Sequence, residues 1–220
     1  MITIHNVCSL GTLCQSSRIC KDMGIKVESY PFDWIFSNPQ HVVDIMKDDF
    51  KLFLDRTLYT PTTARTCGHK IYGANMFNHR NPLGIEEDYK YYTRCVERFR
   101  RLQSKDNTLF ILSFVNQKES EFDTIKKDVL MLNNYLLTRM KNHYLFVLFH
   151  IPKQEILRSM IVKHENIIFL KLYTTSVSNG VRIKNATENN EVHNKLLEHY
   201  TFQTVQNRSK NPMDVVLKSH

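Results

Sequence analysis

Apolar and polar residues alternate along the chain in blocks that predict strands separated by helices. Three continuous apolar runs, at residues 108–115, 144–151 and 167–173, are typical of strands buried on both faces of a sheet. The clearest helical pattern spans residues 85–102, where an apolar stripe has acidic residues in its first turn and arginines in its last, as the helix dipole favours. Strands and helices of these lengths predict right-handed βαβ crossovers and a mainly parallel sheet.

The remaining pattern predicts further elements around these. Strands are expected over residues 2–10 and 71–77, and helices over 12–23, 42–54, 122–140, 154–162 and 192–200. Residues 59–73, rich in threonine and glycine, predict a loop, and a polar, irregular part begins at about residue 176. We therefore predict an α/β fold, a single three-layer domain of residues 1–220 with a mainly parallel sheet and helices on both of its faces.

Composition is that of an ordinary globular protein, with 42% hydrophobic and 24% charged residues. No apolar run approaches the roughly 20 residues of a membrane span, and the first residues lack a secretory-signal pattern, so a cytoplasmic location is expected. The five cysteines are odd in number and form no C-x-x-C pair, which argues against a disulfide framework and against a cysteine-based zinc site.

The net charge of +8 favours acidic partners such as nucleic acid, phosphorylated glycans or an anionic membrane surface. The basic residues are dispersed, however, and their densest cluster lies on the predicted helix 85–102, where it is expected to form a solvated face. This distribution argues against nucleic-acid binding, although that alternative stays open.

The loop after the first predicted strand carries the most informative candidate chemistry. Ser9 lies near the end of that strand, Gly11 makes a turn, and Cys14 begins the next helix, where the positive end of the helix dipole stabilises a thiolate. Such loops form the binding edge of a parallel sheet. Backbone N–H groups from Gly11 to Cys14 would stabilise an oxyanion, and we predict that Ser9 and Gly11 bind substrate.

Two further segments could complete a catalytic group. His79 follows a short apolar segment and could accept the proton of Cys14, while Asp33 could orient the imidazole. Trp34, the only tryptophan, would then form an apolar wall of the substrate site. The structural alternative is that Cys14 packs within the helix, His79 is an ordinary loop residue and Asp33 caps the turn after Pro31.

Other chemistries have weaker patterns. Ser9 is a rival nucleophile, as in esterases that use a serine at a strand end, but His193 lacks the aspartate of their Asp-x-x-His motif. Cys67, His69 and His79 lie close in sequence without the spacing of a zinc site, so no metal is predicted. No glycine-rich phosphate loop occurs, and no cofactor is predicted.

Two motifs taken together resemble those of a known family. S-L-G-x-x-C at residues 9–14 and P-F-D-W-I at 31–35, followed by D-D-F at 48–50 and F-N-H at 77–79, are similar to papain-like cysteine peptidases of unknown function found in bacteria, algae and large DNA viruses. The resemblance covers about residues 5–115. It implies a thiol nucleophile at Cys14 and a catalytic histidine at His79. The motif leaves open whether their partner is an acid or an amide, and Asp33 is our candidate for it. A papain-like α+β fold is then the alternative to the layered one.

Two hypotheses for function follow. The first is a cysteine-dependent hydrolase or acyl-transfer enzyme that acts on a protein or glycan substrate. Family members also occur beside glycan-building enzymes, which keeps an ester of a glycan or acyl group open as the bond attacked. The second hypothesis is a non-catalytic binding or effector protein of the same fold, whose basic surface engages an acidic partner. If the chain is viral, that partner would be a host protein and the location would be the host cytoplasm.

Overall fold

A five-stranded sheet lies at the centre of the protein. The computed structural model describes residues 1–203. In spatial order, and numbered along the chain, the strands of the sheet are β2 (Asn6–Ser9), β6 (Thr108–Phe114), β7 (His143–Ile151), β9 (Ile167–Tyr173) and β8 (Arg158–His164). The first four strands are parallel, and β8 runs antiparallel to β9. The predicted α/β fold with a mainly parallel sheet is therefore confirmed.

Helices and two smaller sheets accompany the central sheet. The helices are α1 (Cys14–Asp22), α2 (Pro39–Lys47), α3 (Glu86–Leu102), α4 (Phe122–Leu137) and α5 (Ala186–His199). Strand β1 (Ile2–Ile4) pairs in parallel with β10 (Tyr200–Phe202). The third sheet is antiparallel and contains β3 (Tyr59–Thr63), β4 (Thr66–His69) and β5 (Gly73–Phe77).

Both faces of the central sheet are apolar. Neighbouring residues of a strand point to opposite faces, so a continuous apolar run places apolar side chains on both. One hydrophobic cluster contains Phe110, Leu112, Val147 and Phe149 together with residues of α2, α3 and α4. A second cluster contains Leu109, Ile111, Phe146 and Leu148 together with residues of α1 and α5. One hydrophobic cluster covers each face of the sheet, which explains why β6, β7 and β9 are continuous apolar runs. The complete three-layer arrangement and the single domain of residues 1–220 stay predictions.

The helix predicted over 154–162 is wrong, because strand β8 begins at Arg158 and residues 154–157 are irregular. Every residue of β8 pairs with β9, from Arg158 opposite Tyr173 to His164 opposite Ile167. Only two residues join the strands, and the first of them, Glu165, has φ +51°. So short a connection produces a hairpin, in which β8 must run antiparallel to β9.

The loop predicted over residues 59–73 is also wrong, because the segment contains β3, β4 and the start of β5. Threonines suit strands, and the hydroxyls of Thr63 and Thr66 lie 2.6 Å apart across the β3–β4 turn. Gly68 permits a close approach, since a Cβ there would lie 2.3 Å from the carbonyl oxygen of Ala74. Glycine and threonine therefore mark tight strand packing here.

Several predicted boundaries shift for local reasons. The expected strand 2–10 is divided at His5 into β1 and β2, which pair with different partners. Helix α2 begins at Pro39, where the Asn38 side chain caps the backbone N–H of His41. The last helix begins at Ala186, earlier than the predicted residue 192.

Among residues 1–203, no helix combines the length and apolar character needed to cross a membrane.

Two buried histidines make stability depend on pH. Burial lowers the pKa of His143 and of His150 to about 4, whereas an unfolded histidine titrates near 6.5. As pH falls from about 6.5 to 4 the unfolded chain gains protons that the folded chain does not bind, and each histidine removes at most about 3 kcal/mol from the free energy of unfolding. We expect urea unfolding at pH 7, 5.5 and 4.5 to show this loss.

Substitutions that keep the hydrogen bonds provide the control. The Nε2 atom of His143 lies 2.9 Å from Oδ1 of Asn133, and Nδ1 of His150 accepts the backbone N–H of Asn116 at 3.1 Å. His143→Gln and His150→Asn offer comparable polar atoms without a titrating ring. The double variant should show a flatter pH profile than the natural protein, and an equally steep profile would contradict the assignment.

Candidate active site

The loop between β2 and α1 is held against the end of β6. The carbonyl oxygen of Gly11 accepts the backbone N–H of Ser113 at 3.2 Å, and the hydroxyl of Thr12 donates to the carbonyl oxygen of Ser113 at 2.8 Å. On the other side, the backbone N–H of Ser37 donates to the carbonyl oxygen of Thr12 at 3.0 Å. These hydrogen bonds fix the point at which α1 begins, and Cys14 is its first residue.

Cys14 and His79 lie side by side at this point. The Sγ atom of Cys14 is 3.0 Å from Nε2 of His79, although the two residues are 65 positions apart in sequence. Cys14 is only 2% exposed, whereas His79, which follows β5, is exposed. Both line a cavity of about 450 Å³ at the carboxyl edge of the central sheet. This is the geometry that a thiol nucleophile and its base require.

Opposing influences act on the Cys14 sulfur. Burial raises the pKa of the thiol to about 11, although its own backbone N–H stabilises the thiolate and works in the opposite direction. The sulfur lies at the amino end of α1, whose first turn has no side-chain cap. The backbone N–H groups of this turn therefore present partial positive charge beside the sulfur.

The ring of His79 is oriented by an aromatic neighbour rather than by an acid. Trp34 meets the imidazole edge to face, with ring centroids 6.1 Å apart and planes at 84°. The backbone of Trp34 is in the left-handed region, with φ +59°. Within residues 1–203, the Cys14 sulfur is the only hydrogen-bond partner of His79. The pair is therefore a dyad in this structure.

The chain that follows His79 is anchored to α3. Asp88 accepts a hydrogen bond from the guanidinium of Arg80 at 2.7 Å and from the backbone N–H of Asn81 at 2.8 Å. The Arg80 guanidinium also stacks on the ring of Tyr91, 3.7 Å from its centroid. This double attachment restricts the segment that presents the imidazole.

Asp33 is not brought to His79. Its carboxylate accepts hydrogen bonds from the Ser17 hydroxyl at 3.0 Å and the backbone N–H of Tyr30 at 2.8 Å, and it forms an ion pair with Lys26. Burial raises the pKa of Asp33, against the opposing influence of Lys26 and these hydrogen bonds. Since Ser17 lies on α1, Asp33 joins the segment that carries Trp34 to the helix that carries Cys14.

Ser9 and Gly11 lie beneath the loop and are not among the residues that line the cavity. Ser9 is buried, and its hydroxyl accepts the backbone N–H of Gly11 at 3.4 Å. Gly11 has φ +89°, and a Cβ there would lie 2.2 Å from the Ser37 hydroxyl oxygen. Both residues therefore contribute to the shape of the loop.

The cavity also has walls that sequence analysis did not identify. Asn116 and Ser178 line it and form a reciprocal pair: the side-chain amide of Asn116 donates to the backbone carbonyl oxygen of Ser178, and the backbone N–H of Ser178 donates to Oδ1 of Asn116, each at 2.8 Å. Asn116 follows a buried parallel strand, as Cys14 does, so the rule that places sites at the carboxyl edge could have found it. Ser178 lies in a polar segment that gave no such signal.

The residues weighed as metal ligands have other contacts. The ring of His69 bonds the carbonyl oxygen of Leu52 at 2.9 Å and the backbone N–H of Ile71 at 3.1 Å, while Cys67 is buried. Over the described part of the chain, no three His, Cys, Asp or Glu side chains are grouped so that they could hold a metal ion.

Comparison with known proteins adds the family. The model of the family described as "Putative papain-like cysteine peptidase (DUF1796)" matches residues 5–215. The chain belongs to this family. The match extends well beyond the residues 5–115 that carry the motifs, and it supports a cysteine hydrolase at the level of the family. No curated protein and no solved structure matches the chain.

Removing the Asp33 carboxylate should destabilise this family member strongly. Asp33→Ala leaves the largely buried ammonium of Lys26 without its partner, so the free energy of unfolding should fall by about 3–5 kcal/mol. Asp106→Ala is the matched control, because it removes an exposed ion pair with Lys141 and should cost less than about 1 kcal/mol. Urea titration of both variants measures the difference. Equal stability of the two variants would contradict a structural role for Asp33.

Proposed function

We propose that the protein is a cysteine-dependent hydrolase that cleaves peptide bonds, with Cys14 as nucleophile and His79 as general acid and base. The observation that carries the proposal is the 3.0 Å separation of Sγ and Nε2 at the wall of a cavity. The description of the family as papain-like cysteine peptidases supports a protein substrate.

The reaction would proceed in two stages. In the first, His79 accepts the thiol proton while Sγ of Cys14 bonds to the carbonyl carbon, and the carbonyl oxygen becomes an oxyanion. The proton then passes from His79 to the leaving amine, the C–N bond breaks, and a thioester remains. In the second stage, His79 takes a proton from water, the resulting hydroxide attacks the thioester, and the proton returns to the sulfur as the acid leaves.

Backbone N–H groups at the start of α1 supply the stabilisation for the oxyanion. The first turn has no side-chain cap, so its backbone N–H groups are left as donors beside Leu13 and Cys14, which line the cavity. Gly11 and Thr12, which precede this turn, are fixed by their hydrogen bonds with Ser113 and Ser37, so the donors of the turn are held before substrate arrives. A fixed arrangement of this kind avoids reorganisation during the reaction.

The raised pKa of Cys14 makes His79 essential to this mechanism. With a pKa of about 11, a thiol without a base would be ionised in only about one molecule in ten thousand at pH 7. The adjacent imidazole can accept the proton during attack, so a stable thiolate is not needed. The nucleophile is then produced when the substrate is already bound.

A second candidate, a non-catalytic binding or effector protein, is favoured by two observations. The Cys14 thiol is buried with a raised pKa, and the carboxylate of Asp33 is engaged away from His79. Both would be tolerated in a protein that keeps the fold without the reaction. The experiment below distinguishes this candidate from the enzyme.

Further expectations accompany the proposal. A single three-layer domain of residues 1–220 would hold the site at one edge of its sheet. A cytoplasmic location, a viral origin, a host-protein partner and a glycan or acyl ester substrate stay predictions of the sequence, and nucleic-acid binding stays an alternative.

The test is the pH dependence of Cys14 alkylation. In the natural protein, iodoacetamide should modify Cys14 at pH 7, because His79 accepts the thiol proton. In His79→Ala no base adjoins the thiol, so modification should be slow at pH 7 and should rise only at alkaline pH, because burial raises the pKa of the thiol. Mass spectrometry of the peptide that contains Cys14 measures the rate at each pH.

Two controls make the result specific. The other four cysteines are buried and, unlike Cys14, line neither this cavity nor the one beside it, so they should stay unmodified in the folded protein. His164→Ala removes a histidine on β8, at the opposite edge of the sheet from β2, and should leave the profile unchanged. If the natural protein and His79→Ala react at the same rate across the pH range, the hydrolase proposal fails and the binding candidate is favoured.

A further inference from the structure

A second cavity adjoins the one that contains Cys14 and His79. Its volume is about 570 Å³, and Asn116 lines both cavities. The walls of the second cavity come from residues 116–119 after β6, residues 151–154 at the end of β7, and Tyr173 and Val177 at the end of β9. Both cavities therefore lie at the carboxyl edge of the central sheet, where binding sites of parallel sheets form.

The two cavities border each other at the Asn116–Ser178 pair. Ser178 lines the first cavity and its neighbour Val177 lines the second. The reciprocal hydrogen bonds of this pair hold the end of β6 against the segment after β9. An extended molecule that lies across this border can therefore reach both cavities at once.

The second cavity has two exposed cationic side chains in its lining. Lys118 and Lys153 line it, both are exposed, and neither forms an ion pair within residues 1–203. The acid in the lining, Glu119, is already paired with the largely buried Lys171. The guanidinium of Arg158 lies 4.1 Å from the centroid of the Tyr173 ring and adds a further cation at this edge. An anionic group is the ligand that this arrangement favours.

Apolar surface lies beside these charges. Ile151, Pro152 and Val177 line the same cavity, together with the ring of Tyr173. A side chain with a short aliphatic stem and a terminal carboxylate matches both parts, because its stem can contact the apolar wall while its carboxylate faces the lysines. Glutamate and aspartate have this character.

We propose that the second cavity binds an acidic side chain of a peptide substrate whose scissile carbonyl group lies at Cys14. The inference rests on the proposed cysteine-hydrolase function and adds the preference for an acidic residue. Lys118 and Lys153 are the residues that confer this preference.

The experiment uses short peptides in which a Michael acceptor replaces the scissile amide, so that Cys14 is alkylated when the peptide binds. Glutamate or glutamine is placed in turn at each position on both sides of the acceptor. At low ionic strength, at least one position should show alkylation about three- to tenfold faster with glutamate than with glutamine. The advantage should shrink as salt is added, because these charges are exposed.

Paired variants assign the effect to the cavity. Lys118→Gln/Lys153→Gln should abolish the glutamate advantage. Lys47→Gln/Lys127→Gln removes the same charge from exposed positions on α2 and α4 outside both cavities, and should keep the advantage. Circular dichroism of both double variants checks that the fold is unchanged.

The outcomes separate the two levels of the proposal. Alkylation that depends on His79 but is equal for glutamate and glutamine at every position overturns the acidic preference and leaves the hydrolase standing. A glutamate advantage that survives Lys118→Gln/Lys153→Gln overturns the assignment to the second cavity. Alkylation that is absent, or unchanged in His79→Ala, means that the hydrolase proposal itself fails, and the acidic preference fails with it.

Discussion

The attachment of the 10–13 loop to the end of β6 determines where the candidate site lies. Strand β2 is short and lies at an edge of the sheet, so it could not by itself fix the start of α1. The hydrogen bonds that Gly11 accepts from Ser113 and that Thr12 donates to it supply that constraint. Because Ser113 belongs to a strand that is buried on both faces, the loop that carries Cys14 is held in a fixed position relative to the central core. His79 comes from a separate, smaller sheet, and the packing of that sheet therefore decides whether the pair can form.

Burial and the helix terminus act on the same sulfur in opposite directions. Removing a thiol from water disfavours its charged form, while the amino end of a helix favours it. Here burial dominates, and the pKa of Cys14 is raised. The exposed imidazole of His79 is then the group that can link the buried sulfur to solvent. This division between a protected nucleophile and an accessible base suits a site that reacts only when its cavity is occupied.

The parts of the fold that sequence predicted well are those whose burial is uniform. Strand β6 is apolar throughout because both of its faces are covered, and α3 carries its stripe and its terminal charges in full. The prediction for the segment that forms β8 was wrong because this strand lies at an edge of the sheet. Met160 is exposed there beside half-buried Ile161, so the apolar residues follow neither the helical nor the strand period clearly. Such a mixed pattern cannot distinguish a short helix from an edge strand.

The candidate site was predictable to a similar degree. Cys14 could be placed at a helix start from its own neighbours, but its contact with His79 depends on a small sheet of which the sequence indicated only the last strand. Asp33 could be recognised as important without its role being evident, since a buried aspartate can either orient a histidine or hold a loop. Lys26, seven residues earlier, forms an ion pair with Asp33, and a nearby lysine of this kind favours the loop-holding role. Asn116 and Ser178 meet only through tertiary structure.

The pairing of β1 with β10 has a consequence for the order of folding. Ile2 lies opposite Tyr200, so nearly the whole described chain separates the two strands. Contacts of such long range close a large loop and form slowly compared with local ones. During synthesis on a ribosome, Ile4 and the apolar side chains beside it would stay exposed to solvent until α5 and Tyr200 had been synthesised. The face of the sheet that receives α5 is therefore the last to be completed, and during synthesis it is the surface most in need of protection from aggregation.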